Sequence, residues 1–299
     1  MATSSREGSL DAPTRHPLGQ NEPGFYDETA IFDELERVFD ICHGCRRCVS
    51  LCNSFPTLFD LVDESSTMEV DGVDRKDYWS VVDNCYLCDL CYLTKCPYVP
   101  PHEWNVDFPH LMLRAKALGY KQGRAKFRDK LVTSTDAIGK LASIPIVANV
   151  VNAVNRNEHT RALLESSLQI HADARLPEYH SKTLSKRSAG HQPADIEVTP
   201  TDRTSGKVAI FATCYGQYNE PLIGEDLLAV FEHNKIPTMI VRNSVCCGMP
   251  KLELGDLDSV EKLQNHNIPL LADLADAGWD IISPLPSCTL QFKQELPLL

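Results

Sequence analysis

Two stretches decide how this chain is read: CHGCRRCVSLC at residues 42–52 and CYLCDLCYLTKCP at residues 85–97. The first places thiols at Cys42, Cys45, Cys48 and Cys52, the second at Cys85, Cys88, Cys91 and Cys96. These eight are most of the chain's 12 cysteines. Three cysteines separated by two residues each wrap one side of a compact metal core within a single turn of chain. The fourth ligand must then arrive from elsewhere.

A [4Fe–4S] core needs four thiolates, and in two-cluster ferredoxins the last cysteine of each run ligates the other cluster. That rule assigns Cys42, Cys45, Cys48 and Cys96 to one cluster, and Cys85, Cys88, Cys91 and Cys52 to the second. Crossed ligation would tie both runs into one unit suited to electron hopping. Two departures stand: Cys52 is followed by Asn53 rather than proline, and the last gap of the second run holds four residues, Tyr92–Lys95. Structural zinc also uses CxxC pairs, four ligands to an ion. Two runs of three, each with a fourth cysteine, exceed what that geometry uses. Iron–sulfur is the preferred reading. His43 and His102 are alternative ligand candidates, but beside eight thiolates they read as tuning or structural groups.

Working outward, the chain has 299 residues, 43% of them hydrophobic, enough for two domains with separate cores. Its net charge of -12 leaves no basic excess for phosphates, so no nucleic-acid partner is expected. Residues 1–20 lack the apolar core of a signal peptide. The longest apolar stretch, LASIPIVANVV at Leu141–Val151, is far short of the roughly 20 residues of a spanning helix. The expected location is cytoplasmic, with peripheral association at the inner face of a membrane as the variant. There, closely spaced cysteines hold metal or do redox chemistry more often than they form disulfides.

Residues 1–26 read as a flexible tail. Asp27 is a helix cap, and Ile31, Leu35, Val38 and Phe39 recur at helical spacing into Cys42. The acidic stretch 53–84 (Asp60, Asp63, Glu64, Glu69, Asp71, Asp74) reads as a solvated loop, with a docking surface as the alternative. Asp107 and Pro109 start a helix that Gly119 should stop. Arg114–Lys130 is strongly basic, an exposed helix face or a site for an acidic partner or lipid surface. The pattern stays helical to about 170, so 27–171 is expected as one helical, ferredoxin-like domain. Residues 172–205 are polar and broken by Pro and Gly, and read as a linker.

From Gly206 the pattern alternates. Lys207–Thr213, Thr238–Val241 and Trp279–Ser283 are strand candidates, with a helix beginning near Asn219 and another over Asp258–Ala277 that Pro269 should break or kink. Residues 206–299 are therefore expected as an α/β domain within an α+β, multidomain chain. Cys214, Cys246, Cys247 and Cys288 fall just past the carboxyl ends of its predicted strands, the edge where open parallel sheets place their sites.

The pattern C-x31-CCG-x39-C, with VCCGMP and PSC, resembles the CCG module of heterodisulfide reductases. The same module occurs in iron–sulfur subunits of anaerobic glycerol-3-phosphate dehydrogenase, glycolate oxidase and lactate-oxidising complexes. Those proteins share the order of two cysteine quartets followed by a CCG domain. The resemblance implies an electron-transfer subunit linking a flavoprotein dehydrogenase partner to a quinone or disulfide acceptor. It also implies a second CCG module, so 206–299 is expected to be incomplete or the first of two. Family members hold a noncubane cluster on CCG cysteines, which would place a third cluster on Cys214, Cys246, Cys247 and Cys288. The family pattern ends in CxxC, however, and here Gln291 stands where the last thiolate belongs. A degenerate site kept for packing is the alternative.

No GxGxxG follows a predicted strand and no GxxxxGK[ST] is present. No catalytic residue can be singled out, and substrate oxidation would fall to another polypeptide. The leading reading is an electron-transfer protein with two [4Fe–4S] clusters. Beside it stand an oxidoreductase whose CCG domain performs thiol/disulfide chemistry, and a non-redox, metal-stabilised interaction module.

Overall fold

The computed structural model describes Gly8 and residues 12–299. It is helix-rich with one small parallel sheet, an α+β architecture. The chain forms two compact units. The first takes the residues up to Ala125 with Leu252–Leu257 and Gln294–Leu299; the second takes Lys126–Lys251 and Asp258–Lys293.

In the first unit, α1 (Glu28–Cys45) starts where Asp27 accepts the Ala30 N–H at 2.9 Å. Ile31, Phe32, Leu35, Val38 and Phe39 share its buried face, and Arg46 ends it in the left-handed conformation. Helices α2 (Ser54–Asp63), α3 (Tyr78–Asp83) and α4 (Phe108–Lys121) complete the core. Phe39 meets the Tyr78 ring edge-on at 5.0 Å, and Phe55 lies 4.7 Å from Phe108. Burying each such side chain is worth about 1.5–3 kcal/mol.

Three expectations change here. Residues 53–84 are not a loop: Phe55, Leu58, Phe59, Val62, Tyr78, Val81 and Val82 are buried on α2 and α3, while the acids between them face solvent. Gly119 does not stop α4. A β carbon there would lie 3.1 Å from the Trp79 ring, so the glycine serves a close helix contact. Of the expected tail, residues 1–7 and 9–11 lie outside the described residues, and 12–26 are tied down. Thr14 N–H donates to Pro100 O and Leu18 N–H to Leu298 O, and Phe25 is buried. The basic stretch is likewise partly spent within this unit: Arg114 donates to the Phe25 and Gly24 carbonyls, and Arg124 stacks over Trp79.

The second unit begins with α5 (Phe127–Val132), α6 (Thr135–Ala142), α7 (Pro145–Arg156), α8 (Glu158–Leu168) and the short α9 (Leu184–Arg187). Strands β1 (Val208–Ile210), β2 (Thr238–Ile240) and β3 (Asp280–Ile282) pair in the order β2-β1-β3, all parallel, with Val208 opposite Thr238 and Asp280. Helices α10 (Cys214–Tyr218), α11 (Pro221–His233), α12 (Met249–Leu254), α13 (Leu257–Asp276) and α14 (Pro286–Leu290) follow the strands. The core joins Val208, Ile210, Ala212, Leu228 and Ile240 to Leu184 of α9.

That last contact bears on 172–205, which does not hang free. Leu184 is core, His180 N–H donates to Tyr218 O, and Asn219 donates to Glu178 O. Helix α6 joins the same unit: a β carbon on Gly139 would lie 2.2 Å from the Tyr218 ring. The compact units are accordingly cut after Ala125, not within 172–205. Helix α13 continues through Pro269, because Val260, Asn267 and Leu271 are buried along it and hold it across the missing N–H. Among the described residues no single helix is long and apolar enough to cross a membrane, although α6 and α7, bent by 106°, pass that test as a pair.

Candidate metal and thiol sites

Helix α1 carries Cys42 and Cys45 in its last turn, and Cys48 and Cys52 lie in the turns that follow. Cys91 opens a π-helical turn over Cys91–Lys95, closed by the Cys96 N–H donating to the Cys91 carbonyl at 2.9 Å. That turn absorbs the extra residue of the second run's last gap. Leu87 and Asp89, on either side of Cys88, both adopt the left-handed conformation at φ 50° and 60°.

These turns bring the runs together. One small cavity is lined by Cys42, Cys45, Cys48 and Cys96 along with Phe55, Phe59, Tyr98 and Val106. A second is lined by Cys42, Cys48, Cys91 and Cys96. Burial pushes the Cys42 thiol well up, and the neighbouring Cys96, Cys48 and Cys45 push it further. Cys85 is pushed up to about 12 by burial, partly opposed by the Leu87 N–H, with Cys52 and Cys88 beside it. Cys91 is raised by burial and by Cys85, Cys48, Cys42 and Cys88. Cys96 is raised by burial, against the N–H groups of Tyr98 and Val99. The histidines are engaged elsewhere: His43 contacts Arg46 and Glu69, and His102 accepts from the Trp104 N–H.

Behind the second run lies a buried charge network. The Arg15 guanidinium pairs with Asp89, with Asp107 at 2.8 Å and with Glu295 at 3.1 Å, and it stacks over Tyr92. Glu295 is also 3.2 Å from His110 Nε2. Burial raises Asp89 to about 6 despite Arg15. Burial acts the same way on Glu295, but His110 and Arg15 outweigh it and hold its carboxyl low.

In the second unit Cys214 opens α10 after β1, Cys246 and Cys247 follow β2, and Cys288 lies in α14 after β3, all at the carboxyl edge of the sheet. Cys214 lies 3.9 Å from Cys246 and Cys247 lies 3.1 Å from Cys288, sulfur to sulfur. Hydrogen bonds from Cys214 and Cys247 pull the Cys246 thiol well below its usual range, while Cys247, donating to it, is raised. Asp136 accepts the Cys246 N–H at 2.6 Å. Asn267 accepts the Val245 N–H and donates to the Val245 and Cys246 carbonyls at 3.0–3.1 Å. Gln291 is wholly buried, and neither of its amide atoms has a partner. Among the described residues no three His, Cys, Asp or Glu side chains converge as ligands of one metal ion.

The sequence reading missed Arg15, Asp136 and Asn267. Asn267 did carry a signal: it interrupts the helical stripe Val260, Leu263, Leu271. Asn267→Ala would strand the Val245 N–H and two carbonyls. We expect a loss of about 1–3 kcal/mol in chemical denaturation, together with faster alkylation of Cys246.

The profile of the cysteine-rich CCG domain family matches residues 208–293. The chain carries a CCG domain. The chain is 27% identical over 196 residues to an anaerobic glycerol-3-phosphate dehydrogenase subunit of Escherichia coli, covering 64% of itself and 47% of that protein. It is 22% identical over 246 residues to an uncharacterised iron–sulfur protein of Methanocaldococcus jannaschii, covering 78% of itself and 40% of that protein. It is 26% identical over 161 residues to a fumarate reductase (CoM/CoB) subunit of Methanothermobacter marburgensis, covering 53% of itself and 32% of that protein. The chain thus spans about half the length, or less, of the relatives it matches. No solved structure matches it. The resemblance drawn from Cys214–Cys288 holds.

Proposed function

We propose that this chain is an electron-transfer protein whose helical, ferredoxin-like part binds two [4Fe–4S] clusters. It would relay electrons between a flavoprotein dehydrogenase and a quinone or disulfide acceptor. One cluster would be held by Cys42, Cys45, Cys48 and Cys96, the other by Cys85, Cys88, Cys91 and Cys52. The observation that carries the reading is the cavity lined by Cys42, Cys45, Cys48 and Cys96, three thiols of one run with the last of the other.

The donor set fits the group. Thiols packed this closely in apolar surroundings resist ionisation, and coordination by a soft metal offsets that cost. Thiols of both runs line the cavity, as a core bridging the two runs requires. Bound clusters supply reversible one-electron transfer at a potential set by their surroundings. The protein's part is to exclude water with Phe55, Phe59 and Val106 and to aim the N–H groups of Leu87, Tyr98 and Val99 at sulfur. A partner subunit is supported by the relatives, two of which are named as subunits of a dehydrogenase and a reductase, while the flavoprotein and the acceptor rest on the family resemblance.

Anaerobic purification with iron and acid-labile sulfide analysis tests the reading. About eight of each per chain is the expected result. Zinc without sulfide would overturn it.

A further inference from the structure

We infer that Cys247 and Cys288 are a redox-active pair that closes to a disulfide, in place of the cluster to which the CCG pattern points. Two thiolates on one metal, with bonds of about 2.3 Å at a tetrahedral angle, sit about 3.8 Å apart. Cys247 and Cys288 are at 3.1 Å, roughly 1 Å beyond a disulfide bond. Of the sulfur contacts in this cluster, Cys247–Cys288 at 3.1 Å is shorter than Cys214–Cys246 at 3.9 Å. The residue that should supply the last thiolate is Gln291, whose neutral amide is a poor ligand for a thiophilic metal. It is fully buried with both amide atoms unpartnered, and its Nε2 lies 3.8 Å from where Gly248, next to Cys247, would carry a β carbon.

The pair is also placed to matter. Cys247 follows β2 and Cys288 follows β3, the two edge strands on either side of β1. A bond between them staples the sheet's carboxyl edge. Both residues are only 2–3% exposed, so a bulky disulfide is excluded and the oxidant has to be a small two-electron one of the peroxide class. One thiolate attacks hydrogen peroxide and breaks its O–O bond, leaving a sulfenic acid and hydroxide, and one proton converts the hydroxide to water. The second thiol then displaces the sulfenic hydroxyl, the S–S bond forms, and a second water departs. A dithiol reductant reverses the change with two electrons and two protons.

The test uses the full chain, treated with stoichiometric peroxide, alkylated and digested without reduction. The expected result is a peptide pair cross-linked through Cys247 and Cys288, absent after dithiothreitol. The oxidised form should also melt at a higher temperature than the reduced one. Cys288→Ser should abolish the cross-link, and the wild-type map stands even if that variant fails to fold. A bridge through Cys214–Cys246 or Cys246–Cys247 instead, no bridge at all, or iron or zinc retained on these four residues would overturn the proposal. None of these outcomes bears on the eight cysteines of the two runs, so the two readings fail separately.

Discussion

Cys42→Ser is expected to cut the iron of the anaerobically purified protein from about eight per chain to about four. The sulfur of Cys42 is buried among Cys96, Cys48 and Cys45, and a serine oxygen there is a harder, more basic donor that holds iron poorly. The proposed crossed ligation makes the prediction sharper than simple loss. Cys96→Ser should remove the same electron paramagnetic resonance signal as Cys42→Ser, although 54 positions separate them in the sequence. Cys52→Ser should remove the signal that Cys85→Ser removes. If Cys52 instead grouped with Cys42, each run would serve its own cluster and the crossed assignment would be wrong. Cys214→Ser, in the CCG domain, should leave both signals in place.

How much of this was legible depended on how local the cause was. The spacing of eight thiols is local, as are the cap at Asp27 and the stripe Ile31, Leu35, Val38, Phe39, so α1 and its delivery of Cys42 were readable. The positions of the three strands were readable as well, because each apolar run sits between turn signals and ends shortly before a cysteine. What escaped was decided by partners far away in the chain. Composition made 53–84 look like a loop, since its acids outnumber its visible stripe. The apolar minority packs against α1 and α4 and wins. The polar stretch 172–205 hides one residue, Leu184, that belongs to the sheet's core. The segment that looked most dispensable, residues 12–26, holds the cation that neutralises acids 74 to 280 positions away.

That cation gives the second large expected effect. Arg15→Met should lower the melting temperature by about 5–10 °C, because breaking a buried ion pair from one side costs about 3–5 kcal/mol. Arg15 is 7% exposed, and its guanidinium faces Asp89, Asp107 and Glu295, of which Asp89 and Glu295 are almost wholly buried. Removing it leaves three carboxylates with only His110 among them. The loss reaches the thiols through the backbone. Asp89 lies between Cys88 and Cys91 in a left-handed conformation that costs about 1–2 kcal/mol for a residue with a β carbon, and the fork of Arg15 is what holds it there. Arg15→Lys keeps the charge but cannot span Asp89 and Asp107 together, so it should recover only part of the stability. Combining Arg15→Met with Asp89→Asn should recover part as well, by removing one stranded charge. A merely structural salt bridge would move the melting temperature alone. If Arg15 also positions the second run, Arg15→Met should release iron to a chelator faster than Asn267→Ala, which acts in the other unit. Equal release rates would confine Arg15 to stability, and an unchanged melting temperature would sink the network's importance altogether.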